Sequence, residues 1–384
     1  MSEQRSHINV CVVGLGNCAT SLISSVAHYQ KHQKLTGLNY ETIGDYKVDD
    51  INFVLGFDVD KRKVGKSIAE AIQQKPNCTP LLCSVDELMT SPNVTGKVYM
   101  GPVLDGCPKH MLDFPEERSF RLANEHELDE GEIAILLKAN AVDVIVNYLP
   151  VGSQEAVEFW AHMCLKTGIP FMNCMPIFIA SDPVWAQKFK DANIPIVGDD
   201  LRSQVGSSIL SAMLQSLCLG RGLKINSTYQ LNVGGNTDFA IMSNKDRLKT
   251  KKISKENVIR NECKLQGVDD SEIGIYAGPS EYIPHLGDNK IAYINVQAEN
   301  VGGQPVTIDL KLSVMDSPNS AGTCLSAIRF LMLARDLGMS GPLLPACAVY
   351  CKTPPVPMKY EEAKEMCDEL ARTKVVPKLY EGLD

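Results

Sequence analysis

The sequence predicts an α/β protein that consists of a doubly wound parallel sheet and an inserted α+β domain. Three observations support this fold class. A glycine-rich turn follows the first apolar strand, short apolar runs alternate with helical patterns up to about residue 200, and polar and apolar residues alternate in several later segments. With 384 residues, the chain is longer than one ordinary domain, so we expect at least two.

The composition fits a globular protein with a sizeable core, because 44% of the residues are hydrophobic and 22% are charged. A net charge of −8 disfavours a generic nucleic-acid binder but permits a local basic pocket. No apolar stretch reaches the ~20 residues of a membrane span, and polar residues 1–7 do not resemble a signal peptide. The 13 cysteines form no C-x-x-C pair, which indicates reduced thiols in a cytoplasmic protein.

The first predicted unit is a strand, a tight turn and a helix. Apolar residues 8–13 precede Gly14-Leu-Gly16-Asn17-Cys18-Ala19, and an amphipathic segment follows over about residues 20–30. This order is typical of a dinucleotide-binding Rossmann domain. Gly14 would form the turn, Gly16 would let the backbone approach a pyrophosphate, and Ala19 would allow close packing between helix and strand. The motif is weak when taken alone, since an ordinary structural turn can have the same pattern.

The second predicted strand strengthens this interpretation. Residues 51–57 are apolar and end at Asp58, where a carboxylate could bind the hydroxyls of the adenosine ribose. The spacing from Gly14 is longer than the usual ~20 residues. We therefore expect residues 31–50 to form an insertion after the first helix. An ordinary turn at the strand end is the alternative for Asp58.

Four more strands are predicted before residue 200, at 98–100, 142–148, 170–174 and 194–197, with helical patterns at 133–140 and 154–167. Continuous apolar strands between helices are typical of a parallel sheet. The strand ends lead into polar, glycine-containing or proline-containing segments at 147–153, 173–176 and 198–200. Small ligands bind at the carboxyl ends of parallel strands, so we expect the ligand site at this edge.

The pattern changes after residue 201. A helix is predicted at 203–219, and alternating segments at 228–233, 291–297 and 305–314 predict an antiparallel sheet. A helix at 320–337 and an apolar strand at 343–351 follow. We interpret residues 1–200 as the dinucleotide-binding domain. Residues 201–310 would be the inserted domain, and residues 311–384 a part that returns to the first domain.

A basic segment at 245–256 stands out in this acidic chain. Lys251 and Lys255 are four residues apart, so a helix would place them on one face, and Lys290 and Lys352 follow later. Lysines suit a phosphate, and desolvated lysines also stabilise alkoxides or enolates. A solvated basic surface is the alternative, with Ser254 as a simple N-cap of a helix that begins at Lys255. The pattern alone does not decide between them.

Longer strings in the chain are more specific than any single motif. They are residues 13–19 (VGLGNCA), 101–106 (GPVLDG), 148–153 (YLPVGS), 178–185 (FIASDPVW), 195–200 (PIVGDD), 231–236 (LNVGGN), 252–255 (KISK) and 316–322 (DSPNSAG). Over nearly its whole length, the chain resembles the myo-inositol-1-phosphate synthase family, in its shorter prokaryotic form.

The resemblance implies an NAD-dependent conversion of D-glucose 6-phosphate to an inositol monophosphate by a cytoplasmic homotetramer. In this family, C5 of the open-chain sugar is oxidised with NAD as the hydride acceptor. The C5 ketone acidifies the C6 proton, the enolate attacks the C1 aldehyde, and the C5 ketone is then reduced again. The reaction is a net isomerisation that needs no external oxidant.

The resemblance also implies the site residues. Catalytic positions would be Lys251, Lys255, Lys290, Lys352, Asp199, Asp200, Asp288 and Asp316. Cofactor contacts would come from Gly14, Gly16, Asn17, Cys18, Ala19, Asp58, Tyr148, Pro150, Asn173, Pro176, Asp200 and Ser320. Substrate contacts would come from Asn232, Gly235, Asn236, Asp238, Lys255 and Lys290.

Within that set, we expect Lys255 and Lys290 at the phosphate and its neighbouring oxygens. Lys251 and Lys352 would serve proton transfer and the C1 and C5 oxygens, and the carboxylates would orient the lysines. These lysine roles are interchangeable at this stage, and the substrate phosphate itself is another candidate acceptor for the C6 proton.

Arg202 departs from the family pattern, because many relatives carry lysine there, and a guanidinium cannot shuttle a proton. Some relatives use a divalent cation near the nicotinamide phosphates. Ser320 and the Asp316 loop are candidate ligands for such a cation. A divalent or monovalent cation is therefore a candidate additional cofactor, although no set of ligands in the sequence requires a metal. Two other functions also stay open: an NAD(P)-dependent dehydrogenase of a phosphorylated or amino-acid substrate, and a catalytically silent binding regulator.

Overall fold

A computed structural model describes residues 7–34, 36–377 and 379. Within this part of the chain there are eleven strands: β1 Ile8–Val13, β2 Ile51–Asp58, β3 Val94–Met100, β4 Val144–Asn147, β5 Phe171–Asn173, β6 Pro195–Val197, β7 Lys224–Gly234, β8 Gly274–Tyr282, β9 Asn289–Glu299, β10 Pro305–Met315 and β11 Gly341–Pro342. The α-helices are α1 Asn17–His32, α2 Ile68–Ala71, α3 Val85–Met89, α4 Glu130–Ala139, α5 Gln154–Thr167, α6 Pro183–Asp191, α7 Ser207–Gly220, α8 Thr237–Met242, α9 Lys249–Leu265, α10 Pro318–Asp336, α11 Leu344–Tyr350 and α12 Tyr360–Thr373.

Seven parallel strands form the first sheet, in the order β11-β6-β5-β4-β1-β2-β3. The order reverses at β1, which lies between β2 and β4. A crevice therefore opens there at the carboxyl ends of the strands. The predicted α/β class with a doubly wound parallel sheet is confirmed.

Helices cover both faces of this sheet. Val10 and Val12 of β1 point into a core that α1, α10, α11 and α12 share, whereas Cys11 and Val13 point into a second core with α4, α5 and α6. This alternation follows from the twofold period of a strand whose two faces are both buried. α10, which comes late in the chain, packs against α1 and against β5 and β6 of the first sheet.

Four strands form the second sheet, in the order β10-β9-β7-β8. The three predicted strands, β7, β9 and β10, pair antiparallel as expected, but a fourth strand that was not predicted, β8, pairs with β7 in parallel. Parallel neighbours need a long crossover, and α8 and α9 lie in the connection between these two strands. The sequence pattern did not indicate β8, since Gly278 and Pro279 interrupt it. A proline is tolerated there because β8 is an edge strand.

The apolar segment at 343–351 was predicted as a strand and is the helix α11. Residues 345–350 are all buried, so the helix has no polar face to reveal a 3.6-residue period. Pro345 lies in the first turn of this helix, where proline is tolerated because a backbone N–H at that position would have no partner within the helix. The alternative in which Ser254 is the N-cap of a helix beginning at Lys255 is excluded, because α9 begins at Lys249 and Ser254 lies inside it.

None of the helices in the described residues is long and apolar enough to cross a membrane. In the same part of the chain, no three His, Cys, Asp or Glu side chains are grouped so that they could hold a metal ion.

Candidate active site

A cavity lies at the carboxyl end of the first sheet and extends to α9 and the second sheet. The turn after β1 forms one wall. Gly14 has φ +86°, and a Cβ there would lie 2.7 Å from the carbonyl oxygen of Tyr148. A Cβ on Gly16 would meet no atom within 4 Å. Gly14 is therefore required by the fold, whereas Gly16 leaves open space in front of the N-terminus of α1.

Asp58 lies at the end of β2, beside that turn. Its carboxylate accepts hydrogen bonds from the backbone nitrogen of Leu15 at 2.8 Å and from those of Val59 and Asp60 at 2.8 and 2.9 Å. The long connection between α1 and β2 thus leaves the acidic residue next to the glycines, because β2 is the direct neighbour of β1. Asp58 lines the cavity.

A buried ionic cluster forms the opposite wall. The Nζ atoms of Lys251 and Lys352 lie 3.2 and 2.8 Å from Oδ1 of Asp200, and Ser254 donates to Oδ2 at 2.7 Å. Burial opposes the charge on Asp200, but the two ammonium groups outweigh it and hold the pKa of this carboxyl well below its usual range. The charge of Asp200 also keeps the pKa of Lys251 above its ordinary value despite burial.

Lys255 lies one helical turn after Lys251 and faces the same cavity. It is only 8% exposed, and within the described residues it forms no ion pair. Burial, together with the three neighbouring ammonium groups, holds the pKa of Lys255 well below its ordinary value. Of the lysines in this cluster, Lys255 is therefore the one whose surroundings most favour the neutral form.

Lys290 lies on β9 and forms an ion pair with Asp316, which follows β10. Burial opposes the charge on Asp316, but Lys290 outweighs it and lowers the pKa of that carboxyl. Both residues line the cavity. Lysines from α9, β9 and the loop after α11 therefore meet in one place, although up to 101 residues separate them in sequence.

Polar side chains between the two walls were predicted to bind substrate. Asn232 and Asn236 line the cavity, and the oxygen of Asn236 caps α8 by accepting hydrogen bonds from the backbone nitrogens of Asp238 and Phe239. Asp238 also lines the cavity, and burial raises its pKa. On the cofactor side, Asn17, Cys18, Tyr148, Pro150 and Ser320 line the cavity as well.

Asp199 and Asn173 lie behind the cavity. Asp199 is fully buried and accepts hydrogen bonds from Asn173 and from the backbone nitrogens of residues 179–181. Burial raises its pKa to about 6. Asn173 in turn accepts a hydrogen bond from Asn147 at 2.9 Å. Both residues hold the turn that carries Asp200, and neither of them lines the cavity.

Four other predicted site residues also lie outside the cavity lining. Asp288 accepts hydrogen bonds from Asn236 and Ser317, so it positions two residues that do line the cavity. Ala19 is fully buried behind the turn, and Pro176 is buried. A Cβ on Gly235 would lie 2.4 Å from the carbonyl oxygen of Ile283, so close packing requires glycine there.

The residues present fit a dinucleotide. Gly16 leaves room where any other residue would project a side chain, the N-terminus of α1 favours a pyrophosphate, and Asp58 can accept hydrogen bonds from ribose hydroxyls. The lysine cluster beyond it suits an anionic sugar. One cavity therefore combines a dinucleotide cradle with four amines.

Known proteins match this chain over nearly its full extent. The family model described as myo-inositol-1-phosphate synthase matches residues 206–317. The inositol-3-phosphate synthase of Mycolicibacterium smegmatis is 40% identical over 381 residues, which cover 98% of each chain. That of Corynebacterium glutamicum is 41% identical over 94% of this chain and 97% of its own.

The chain belongs to the myo-inositol-1-phosphate synthase family.

A solved structure agrees in fold. The myo-inositol-1-phosphate synthase-related protein from Thermotoga maritima superposes with a TM-score of 0.77 over 95% of this chain and 98% of its own, at 22% identity. The synthase family model matches mainly the second sheet and its helices, from just before α7 to just after β10. The lysines of α9 and β9 lie within that match.

Three residues around the cavity of this synthase family member were missed by sequence reasoning. Ser254 links α9 to Asp200 and accepts a hydrogen bond from Thr353 at 3.0 Å. Lys63 and Asn77 contact the glycine turn from below. A serine inside a helix and a lone lysine in a loop carry no distinctive pattern. Lys63 stands out only in the structure, because charged side chains are rarely buried and this one is.

Proposed function

We propose that this chain is an inositol-3-phosphate synthase, which isomerises D-glucose 6-phosphate with NAD as a recycled cofactor. The observation that carries the proposal is the convergence of four lysines from three segments on a cavity that also contains the glycine turn. An enolate and an alkoxide that develop beside a phosphate dianion need several cations in a water-poor pocket. The names of the two relatives with near-complete coverage support the same activity.

Gly14, Gly16, Asn17 and Asp58 would hold the dinucleotide, and Tyr148, Pro150 and Ser320 line the same cavity farther along. When bound, NAD supplies hydride transfer at C5 of the sugar. The chain's own residues must then bind the sugar phosphate, exclude water and move the C6 proton.

Lys255 is the best-suited proton acceptor for C6. Burial and the neighbouring ammonium groups lower its pKa, so its surroundings favour the neutral amine, which is the form that can accept a proton. The proposal thus moves Lys255 from the phosphate to proton transfer. A neutral amine can accept the proton directly, whereas the charged Lys251 would first have to lose its own proton.

Lys251 and Lys352, held by Asp200, would stabilise negative charge on the C1 and C5 oxygens. Lys290, held by Asp316, would bind the phosphate. Asn232, Asn236 and Asp238 would orient the sugar hydroxyls. The carboxylates keep this cation-rich pocket stable before substrate arrives, because unpaired buried charges are costly.

The cytoplasmic location and the homotetramer are part of the proposal. The outer face of the second sheet exposes Tyr229, Tyr276 and Tyr293, which fits a surface that is covered in an oligomer.

A cation requirement is tested by adding EDTA and then single cations to the assay.

The test is an incubation of the purified protein with glucose 6-phosphate and catalytic amounts of NAD. The proposal predicts inositol monophosphate in large excess over the nucleotide, with no net formation of NADH. The alternative dehydrogenase would accumulate NADH in step with an oxidised product and form no inositol phosphate. Either of those dehydrogenase results would overturn the proposal.

A further inference from the structure

Lys63 is a buried ammonium directly below the glycine turn. Its residue is 3% exposed, and it lies in the loop after β2, outside the residues of the dinucleotide motif. Its Nζ atom donates to the carbonyl oxygen of Leu15 at 2.8 Å and to Oδ1 of Asn77 at 3.0 Å, and it lies 3.7 Å from Oδ2 of Asp58.

Leu15 is the residue between the two glycines, and both of its peptide groups are fixed by this network. Its nitrogen donates to Asp58, and its carbonyl oxygen accepts from Lys63 and, at 2.9 Å, from Nδ2 of Asn77. Asn77 is itself anchored to Thr20 of α1 at 2.9 Å. The turn after β1, the acid after β2 and the first helix are thus joined through one ammonium and one amide.

Stability alone gives no reason for this arrangement. A buried ion pair is often no better for stability than apolar residues of similar volume, because both charges must be desolvated. The carbonyl oxygen of Leu15 belongs to the same turn as Gly14 and Gly16, which line the cavity, and the two donors on that oxygen offset its partial negative charge. The ammonium also adds positive potential where a pyrophosphate would lie.

We propose that Lys63 is a positioning residue of the dinucleotide site, which fixes the glycine turn and Asp58 relative to each other and favours the pyrophosphate of the cofactor. This inference rests on the proposed function for the identity of the cofactor. In this proposal Lys63 affects the binding of the ADP half of the nucleotide and takes no part in the chemistry at the sugar.

The test compares Lys63→Met and Lys63→Gln with the control Lys61→Met, which removes the same charge from an exposed lysine two residues earlier. Equilibrium dissociation constants are measured for NADH, ADP-ribose and nicotinamide mononucleotide, with thermal unfolding of the nucleotide-free proteins in parallel. Turnover is measured at saturating NAD.

We expect Lys63→Met to raise the dissociation constants of NADH and ADP-ribose by about 10- to 100-fold, which is the effect of losing a charge-assisted hydrogen bond. Nicotinamide mononucleotide should bind as before, and kcat should stay within about threefold of the wild type, since Lys63 does not contact the sugar site in this account. Lys63→Gln retains a donor for Leu15 and should show a smaller loss, and Lys61→Met should show none.

A merely structural lysine would lower the unfolding temperature and leave the ADP-ribose constant unchanged, and that result overturns the proposal. If Lys63→Met does not fold, Lys63→Gln carries the same comparison, and unchanged ADP-ribose binding there overturns it equally. A wild-type protein that binds no NADH contradicts the proposed function instead.

Discussion

Replacing Asp200 by asparagine perturbs the lysine cluster at its centre. The carboxylate lies 2.8 Å from Lys352 and 3.2 Å from Lys251, and it accepts a hydrogen bond from Ser254 at 2.7 Å. An asparagine side chain would keep an acceptor and tolerate the φ of +62° at this position, so the change removes mainly the charge. Loss of one member of a buried ion pair costs about 3–5 kcal/mol.

We therefore expect Asp200→Asn to lower the apparent free energy of unfolding by about 3–5 kcal/mol at pH 7, measured by urea titration. The pKa of Asp200 is lowered in the folded state, so its stabilising contribution is complete above the unfolded pKa of about 4 and is lost as the pH falls. The difference between wild type and variant should accordingly shrink below about pH 4. Turnover should fall by about 10²-fold, because Lys251 and Lys352 lose the group that fixes them.

The matched control is Asp246→Asn, which removes one negative charge from an exposed position just before α9. It should change stability by less than about 0.5 kcal/mol. The reasoning is refuted if Asp200→Asn costs less than about 1 kcal/mol at pH 7 and turnover is unaffected.

Further predictions concern Lys255 and the glycine turn. Lys255→Ala and Lys255→Arg should each lose most of the turnover while NADH affinity stays near normal; an active arginine variant would contradict the neutral-amine role. The pKa of Lys255 is lowered in the folded state, so its charge opposes folding below the unfolded pKa of about 10.4. Lys255→Met should therefore raise the free energy of unfolding at pH 7 by on the order of 1 kcal/mol, measured by urea titration. This gain should shrink as the pH rises towards about 10.4. Gly14→Ala, which meets the Tyr148 carbonyl and has φ +86°, should lose about 1–3 kcal/mol of stability, whereas Gly16→Ala should unfold like wild type and bind NADH more weakly in fluorescence titrations.

Most of the first sheet could be predicted from the sequence because its inner strands, such as β4, β5 and β6, are buried on both faces and bounded by turns. Short, largely apolar runs such as 51–57 indicate these strands. The same rule failed at 343–351, where a fully buried helix has the same composition as a buried strand. β8 was missed because its proline and glycines are acceptable only at a sheet edge, and edges are set by tertiary pairing.

The lysine cluster could be anticipated from residue types and from the family resemblance, but its internal pairing could not. Asp199 and Asp200 are adjacent in sequence, yet one faces the backbone of residues 179–181 and the other faces the cavity. Which carboxylate pairs with which lysine depends on contacts between residues up to 152 positions apart, as for Asp200 and Lys352. No local pattern records such distances.

In the proposed reaction the sugar phosphate is held between the lysines and the nicotinamide, so that the hydride taken from C5 is returned to the same carbon. This return of the hydride is tested by converting glucose 6-phosphate that carries deuterium at C5 and analysing the product and the nucleotide by mass spectrometry. The account predicts inositol phosphate that retains the deuterium at that carbon, with no deuterium in the NAD pool beyond the enzyme-bound fraction. Product with solvent hydrogen at that carbon, or label that accumulates in free nucleotide, would contradict it.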